Sequence, residues 1–133
     1  MIDIESENHY FQKPKILISK CIEFNACRYD GNIISNKYIH AWKPYLEFIP
    51  ICPEVEIGLG VPRDPIYILQ ENGLKTLYQK KNRKNLTNEM NVFSEYFLDK
   101  LKIVDGFILK TKSPSCGFNT VKIFQNVAKS TVI

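Results

Sequence analysis

Three short apolar segments, each followed by a cysteine, constrain this chain more than any other feature. The three pairs are residues 15–19 (KILIS) with Cys21, residues 47–51 (EFIPI) with Cys52, and residues 104–109 (VDGFIL) with Cys116. Short apolar runs bounded by turn-forming residues are typical of buried strands. Predicted helices separate these strands, and that alternation predicts a small, mainly parallel sheet with flanking helices. The predicted fold class is therefore Rossmann-like α/β.

Two helices and one hairpin are predicted between these strands. The first helix is expected over residues 36–45, where the sequence is amphipathic. Asn72-Gly73 lies between two apolar runs and is a strong signal of a two-residue turn, so a β-hairpin insertion is expected there. Thr87 is expected to cap a second helix that runs to Leu101.

The chain length fits one domain. There are 133 residues, of which 44% are hydrophobic and 24% charged, an ordinary globular composition. Residues 1–13 are polar and begin with Asp3, Glu5 and Glu7. They are predicted to form an arm outside the fold, and residues 14–133 are predicted to form a single α/β domain.

The N-terminus lacks the apolar core of a secretory signal, and no run approaches the roughly 18 apolar residues of a membrane-spanning helix. These features predict a cytoplasmic protein without membrane contacts. Structural disulfides are rare in the cytosol. The four cysteines are therefore interpreted as buried apolar residues, metal ligands or nucleophiles.

The predicted topology brings three of the four cysteines together. Parallel strands present their carboxyl ends at one edge of the sheet, where α/β proteins bind ligands. Cys21, Cys52 and Cys116 all lie just beyond such ends, whereas Cys27 is interpreted as a non-ligand. A single cysteine is commonly a core residue. Three at one topological location, two of them in loops rich in proline and glycine, favour a functional site.

Cysteine spacing favours an iron–sulfur cluster over zinc. Zinc usually takes four ligands in local pairs such as C-x2-C, and this chain has no such pair. The two histidines, His9 and His40, fall in the predicted arm and in a predicted surface helix. Three thiolates from separate loops suit a cluster with one iron left open. A small zinc-binding interaction domain is an alternative.

Beyond these patterns, the chain resembles the thiouracil desulfidase family in three ordered blocks. The blocks are KILISKC followed by RYDG, then CPEVEIGLGVPRDP, and then DGFILKTKSPSCG. The hairpin and the LTNEM segment most resemble the branch that forms the N-terminal half of longer two-domain proteins. Family members continue past the last block with a helical segment. This chain is expected to lack that segment, which would expose part of the sheet and reduce activity.

The resemblance implies a [4Fe-4S] cluster held by Cys21, Cys52 and Cys116. It implies desulfuration of small thiolated compounds such as 2-thiouracil, with the sulfur taken up at the open iron. It also implies a catalytic carboxylate and a catalytic serine, which by motif position are Glu54 and Ser113. A carboxylate near the cluster can activate water. Ser115 is the rival hydroxyl and is assigned to substrate binding.

The remaining features favour a small thiolated molecule as the partner. The net charge of +4 is mild. The basic run at residues 80–84 lacks interleaved aromatic residues, so a solvated loop is favoured over contact with nucleic acid. Arg63, between two prolines, is interpreted as a structural clamp. A non-catalytic iron–sulfur or substrate-binding module is a further alternative, and the sequence leaves the oligomeric state open.

Overall fold

Two small sheets and three helices make up the structure, a computed structural model that describes residues 12–125. In chain order the strands are β1 (Lys15–Ser19), β2 (Glu47–Ile51), β3 (Tyr67–Glu71), β4 (Leu74–Gln79), β5 (Lys84–Asn85), β6 (Gly106–Ile108) and β7 (Ile123–Phe124). The helices are α1 (Lys37–Trp42), α2 (Pro53–Glu56) and α3 (Thr87–Lys100). The predicted N-terminal arm and the predicted missing helical segment fall almost wholly outside the described residues, and both stay predictions.

The first sheet is parallel throughout, in the order β2-β1-β6. The central strand β1 pairs on both sides, and its Ile18 is completely buried. The predicted bounds of β1 and β2 agree with the structure, but β6 is shorter than the predicted strand at residues 104–109. Asp105 precedes β6 and binds the Lys15 N–H through its carboxylate at 2.7 Å. The predicted α/β class with a mainly parallel sheet is confirmed.

Helix α1 packs on one face of this sheet. The Asn36 side chain accepts hydrogen bonds from the backbone N–H groups of Tyr38 and Ile39, both at 3.0 Å, and so caps the helix. Ile39 is buried in one cluster with Ile18 and Ile22. The predicted helix is present but ends at Trp42.

The predicted hairpin belongs to a second sheet with the order β5-β4-β3-β7. β3 and β4 are antiparallel and joined by Asn72 and Gly73, whose φ angles of 50° and 78° suit a tight hairpin turn. The short β7 adds to β3 in parallel. A separate core cluster of Ile66, Leu77 and Leu86 supports this sheet. The hairpin is therefore part of a second layer with its own core.

Helix α3 begins at Thr87 and ends one residue before the predicted Leu101. Thr87 is the first helical residue instead of the cap, because its hydroxyl accepts the Leu77 N–H of β4 at 2.8 Å. Met90 packs against the second core cluster, although no residue of α3 is fully buried. Within residues 12–125, no helix has the length and apolar character needed to cross a membrane.

Candidate functional site

The three cysteines predicted as ligands line one pocket at the carboxyl end of the first sheet. Cys21 follows β1, Cys52 follows β2 directly, and Cys116 lies in the loop after β6. The pocket has a volume of about 390 Å³. Cys27, interpreted as a non-ligand, lines the same pocket. The topology thus brings together thiols that are far apart in the sequence.

Two local turns hold the Cys52 and Cys116 thiols in place. Cys52 is the cap residue of α2, and Pro53 occupies the first helical position, where its missing N–H is not needed. In the second turn the Gly117 N–H donates to the Ser113 carbonyl at 2.7 Å, and the Cys116 N–H donates to the Ser113 hydroxyl at 3.1 Å. A Cβ added to Gly117 would lie 2.7 Å from that carbonyl oxygen. Only glycine fits this turn unchanged.

The electrostatics of the thiols show that they influence one another. Burial raises the pKa of Cys21, and charge repulsion from Cys116 and Cys52 raises it further. Burial also raises the pKa of Cys116, an effect that hydrogen bonds from Ser19, Ser115 and Ser113 partly offset. Thiolates that repel each other in a partly buried pocket are stabilised by a cationic metal centre. The donor set therefore fits an iron–sulfur cluster, whose usual ligands are thiolates.

Cys27 is the most buried of the four thiols, with 3% of its surface exposed. Burial, followed by repulsion from Cys52, raises the pKa of Cys27 to about 12. Its carbonyl accepts a hydrogen bond from the Cys52 thiol at 3.9 Å. Cys27 supports the Cys52 side of the pocket, and its interpretation as a non-ligand stays a prediction.

Glu54 is a buried carboxylate beside these thiols, with 8% of its surface exposed. It lies on the single turn of α2 and lines the pocket. Its Oε1 accepts a hydrogen bond from Arg63 Nε at 3.0 Å, and its Oε2 accepts one from the Ser115 hydroxyl at 2.9 Å. A buried carboxylate is costly unless it is paired and hydrogen-bonded. Glu54 has both kinds of partner.

The two candidate serines occupy different positions in this network. Ser115 contacts Glu54 directly, whereas the Ser113 hydroxyl accepts the backbone N–H of Cys116. The two hydroxyl oxygens lie 3.3 Å apart. Both serines are therefore within one chain of polar contacts that ends at Glu54. Their assignment to catalysis and substrate binding stays a prediction.

Arg63 is a buried clamp, as its position between two prolines suggested, with 5% of its side chain exposed. Its Nη1 donates to the carbonyls of Cys27 at 2.9 Å and Gly60 at 3.0 Å, and its Nη2 lies 4.0 Å from Cys52 Sγ. The sequence did not indicate its ion pair with Glu54. No local motif signals a partner nine positions away in an irregular loop.

Ser19 is a site residue that the sequence reasoning missed. It is the last residue of β1 and is 1% exposed. Its hydroxyl accepts the Lys110 N–H at 2.8 Å, and its interaction with the Cys116 thiol lowers the pKa of that thiol. The signal available in the sequence was a polar residue closing an otherwise apolar strand, since a buried hydroxyl needs a partner.

The pocket walls combine aromatic and cationic side chains. Tyr67 and Phe124 meet edge to face, with ring centroids 5.4 Å apart, and both line the pocket. Flat rings bind well against aromatic walls. The cationic lining residues are Lys20, Arg28, Arg63, Lys110, Lys112 and Lys122. Glu54 is the sole carboxylate among the described residues of the lining, so the pocket is electropositive overall.

The described part of the chain contains no cluster of side chains that could hold a single metal ion. No three His, Cys, Asp or Glu side chains of residues 12–125 are arranged to hold one metal ion. Zinc requires its ligands around a single point.

Fold and site together define a small α/β protein with thiols, a carboxylate and serine hydroxyls around one pocket. Residues 16–132 match the 2-thiouracil desulfurase family. The chain therefore belongs to that family, as the resemblance predicted.

Two relatives place this assignment in context. An uncharacterised protein of Bacillus subtilis (strain 168), YbbK, is 28% identical over 111 residues, covering 77% of this chain and 72% of YbbK. The solved structure of a [4Fe-4S]-dependent thiouracil desulfidase, TudS, is similar with a TM-score of 0.66 and 25% identity. That similarity covers 91% of this chain and 78% of TudS. The fold of this chain thus matches the fold of TudS.

Proposed function

We propose that this chain is an iron–sulfur desulfidase that acts on small thiolated compounds such as 2-thiouracil. Cys21, Cys52 and Cys116 would hold a [4Fe-4S] cluster, and Glu54 would act on the substrate beside it. The observation that carries the proposal is the meeting of these three thiols with Glu54 in one pocket. The family match and the named cofactor of TudS support the same chemistry.

The net reaction replaces the sulfur of a thiocarbonyl group with oxygen from water, giving a carbonyl group and hydrogen sulfide. When bound, the cluster supplies an open iron with affinity for the sulfur. Water that attacks the thiocarbonyl carbon must lose a proton, and a nearby carboxylate is a suitable acceptor. Glu54 takes this role through Oε2, because Oε1 is held by the charged Arg63 Nε, whereas the contact of Oε2 is a neutral hydroxyl that can itself accept or pass on a proton.

The serine hydroxyls can transfer a proton or orient the substrate ring beside Glu54. Ser115 donates to Glu54 Oε2, and Ser113 lies 3.3 Å from Ser115. A hydroxyl that both donates and accepts can pass a proton onward or orient the substrate ring. Tyr67 and Phe124 line the pocket at a side where a flat heterocycle can pack.

Anaerobic purification followed by an activity assay tests the proposal. We expect a brown protein with absorption at ~400 nm and about four irons per chain, as for a thiolate-bound cluster. Conversion of 2-thiouracil to uracil is then followed by chromatography. The matched variant Glu54→Gln is expected to keep the cluster and lose turnover by roughly 10²-fold or more.

Other results would identify other functions. A colourless protein with one zinc per chain would indicate the zinc-binding interaction domain and contradict the proposal. A full cluster without turnover of any thiolated pyrimidine would indicate a non-catalytic iron–sulfur module.

A further inference from the structure

Arg63 contacts two loops and helix α2 around the pocket, whereas a clamp of a single loop would contact that loop alone. Its backbone N–H donates to the Tyr29 carbonyl at 2.8 Å, in the loop that follows β1. Its guanidinium reaches the Cys27 carbonyl in that loop and the Gly60 carbonyl in its own. Its Nε donates a hydrogen bond to the Glu54 carboxylate on α2. One buried side chain thus joins the loops after the two neighbouring strands β1 and β2.

The geometry at Glu54 is the informative part. Arg63 Nε binds Oε1 at 3.0 Å, which leaves Oε2 for Ser115 at 2.9 Å. A carboxylate without the first contact is free to rotate about its last torsion, since such sp³–sp² torsions are broad. The ion pair therefore fixes the plane of the carboxylate, so that the oxygen that does not bind Arg63 faces the hydroxyl chain.

Burial makes this contact strong and difficult to replace. The side chains of Arg63 and Glu54 are only 5% and 11% exposed, so water screens the pair poorly. The planar guanidinium donates in several fixed directions at once, which a lysine ammonium cannot reproduce in the same geometry. Arg63 serves Glu54 and two carbonyls simultaneously.

We propose that Arg63 is a positioning residue for desulfuration, which fixes the Glu54 carboxylate so that Oε2 is presented to Ser115 and to the attacking water. The inference rests on the proposed function, because it assigns Arg63 to the reaction through Glu54. The rival explanation is a brace that only stabilises the loops. The two explanations predict different values of kcat per assembled cluster when Arg63 is replaced.

The test compares Arg63→Lys with the wild-type chain, both purified anaerobically with their cluster. We expect kcat per assembled cluster to fall about tenfold or more, because a small misplacement of a reacting group has large effects on rate. KM for 2-thiouracil is expected to change by less than about twofold, since the buried Arg63 offers little surface to a ligand. Arg83→Lys, at an exposed loop between β4 and β5, is the matched control and is expected to leave kcat unchanged.

A loss of cluster content or thermal stability in Arg63→Lys, with kcat per remaining cluster unchanged, would overturn the proposal in favour of the brace. The free energy of unfolding in urea supplies a second measurement that does not depend on turnover. In a double-mutant cycle of Arg63→Lys with Glu54→Gln, we expect the two losses in the free energy of unfolding to be non-additive, as for residues in direct contact. Additive effects would show that the pair does not act as a unit and would also overturn the proposal.

The two measurements also separate this inference from the proposed function. A wild-type chain that holds a full cluster but never turns over substrate refutes the desulfidase assignment and with it the catalytic purpose of Arg63. The unfolding cycle then still decides whether Arg63 fixes Glu54.

Discussion

The Ser115 hydroxyl donates to Glu54 Oε2 at 2.9 Å, although the two residues are 61 positions apart in the sequence. This contact joins the loop that carries Cys116 to the turn that carries Cys52. Arg63 holds the other oxygen of the same carboxylate, so Glu54 is fixed by a contact on each side. Side chains of the protein therefore set the orientation of the Glu54 carboxylate in the pocket.

The two serines are expected to respond differently to replacement by alanine. Ser115→Ala removes the contact to Glu54, so we expect turnover per cluster to fall by roughly tenfold or more while the iron content is preserved. Ser113→Ala removes the acceptor for the Cys116 N–H and should lower stability by about 1 kcal/mol. Turnover, iron content and urea unfolding, measured for both variants, show which serine takes part in turnover and which stabilises the turn. Loss of turnover in Ser113→Ala alone would instead assign catalysis to Ser113, as the motif position implied.

The cysteine variants separate ligands from the fourth thiol. Cys21→Ser, Cys52→Ser and Cys116→Ser are each expected to abolish stable cluster binding, since each removes one of the three proposed thiolate ligands. Cys27→Ser is the matched control and is expected to keep the iron content of the wild type. Iron and acid-labile sulfide are measured on the anaerobically purified chains. Iron loss in the Cys27 variant equal to that of the other three would show that Cys27 is a ligand.

Gly117 gives a prediction that depends on space alone. A Cβ at this position would lie 2.6 Å from Val121 Cγ2 and 2.7 Å from the Ser113 carbonyl oxygen. Gly117→Ala must therefore open the turn that holds Cys116, and we expect cluster occupancy to fall. Gly106→Ala is the control, because its Cβ would meet only Ile16 Cδ1 at an ordinary 3.5 Å. Equal iron content in the two variants would contradict the role of the turn.

Glu23 predicts a pH dependence of stability. A hydrogen bond from the Asn36 N–H at 2.7 Å lowers the pKa of Glu23 below its ordinary 4.5, and Lys43 and His40 contribute to the shift. A carboxylate with a lowered pKa stabilises the fold above its unfolded-state pKa, and that stability is lost as the pH falls through the folded-state value. Glu23→Gln should therefore be less stable than the wild type at pH 7.

The difference between these two chains should shrink as the pH drops below about 4.5, the ordinary pKa. Urea unfolding at several pH values measures it. A difference that stays constant from pH 7 down to pH 3 would mean that the charge of Glu23 does not contribute.

The parts of the fold that were predictable have signals within a few residues. The apolar runs ending at Ser19 and Ile51 fixed β1 and β2, and Asn72-Gly73 located the hairpin. The convergence of the cysteines followed from strand direction, because parallel strands share a carboxyl edge. The location of the pocket that these cysteines line was therefore predictable from strand direction.

The unpredicted parts depend on contacts between distant segments. β7 has two residues, and it is a strand because it pairs with Ile68 and Leu69 of β3. Nothing in its own sequence gives that partner. The ion pair of Arg63 with Glu54 is similar, since neither side chain signals the other in a loop without periodicity. Such pairs exist only once the chain has folded.

The wide separation of Cys21, Cys52 and Cys116 along the chain has a consequence for biosynthesis. A zinc finger gathers its ligands locally, and metal binding drives its folding. Here the three thiols come from loops that follow β1, β2 and β6, so a nascent chain lacks the complete set until Cys116 has been synthesised. A cluster held by all three thiols could be completed only on a chain that has reached Cys116, and its ligands would stay together only while β1 pairs with β2 and β6.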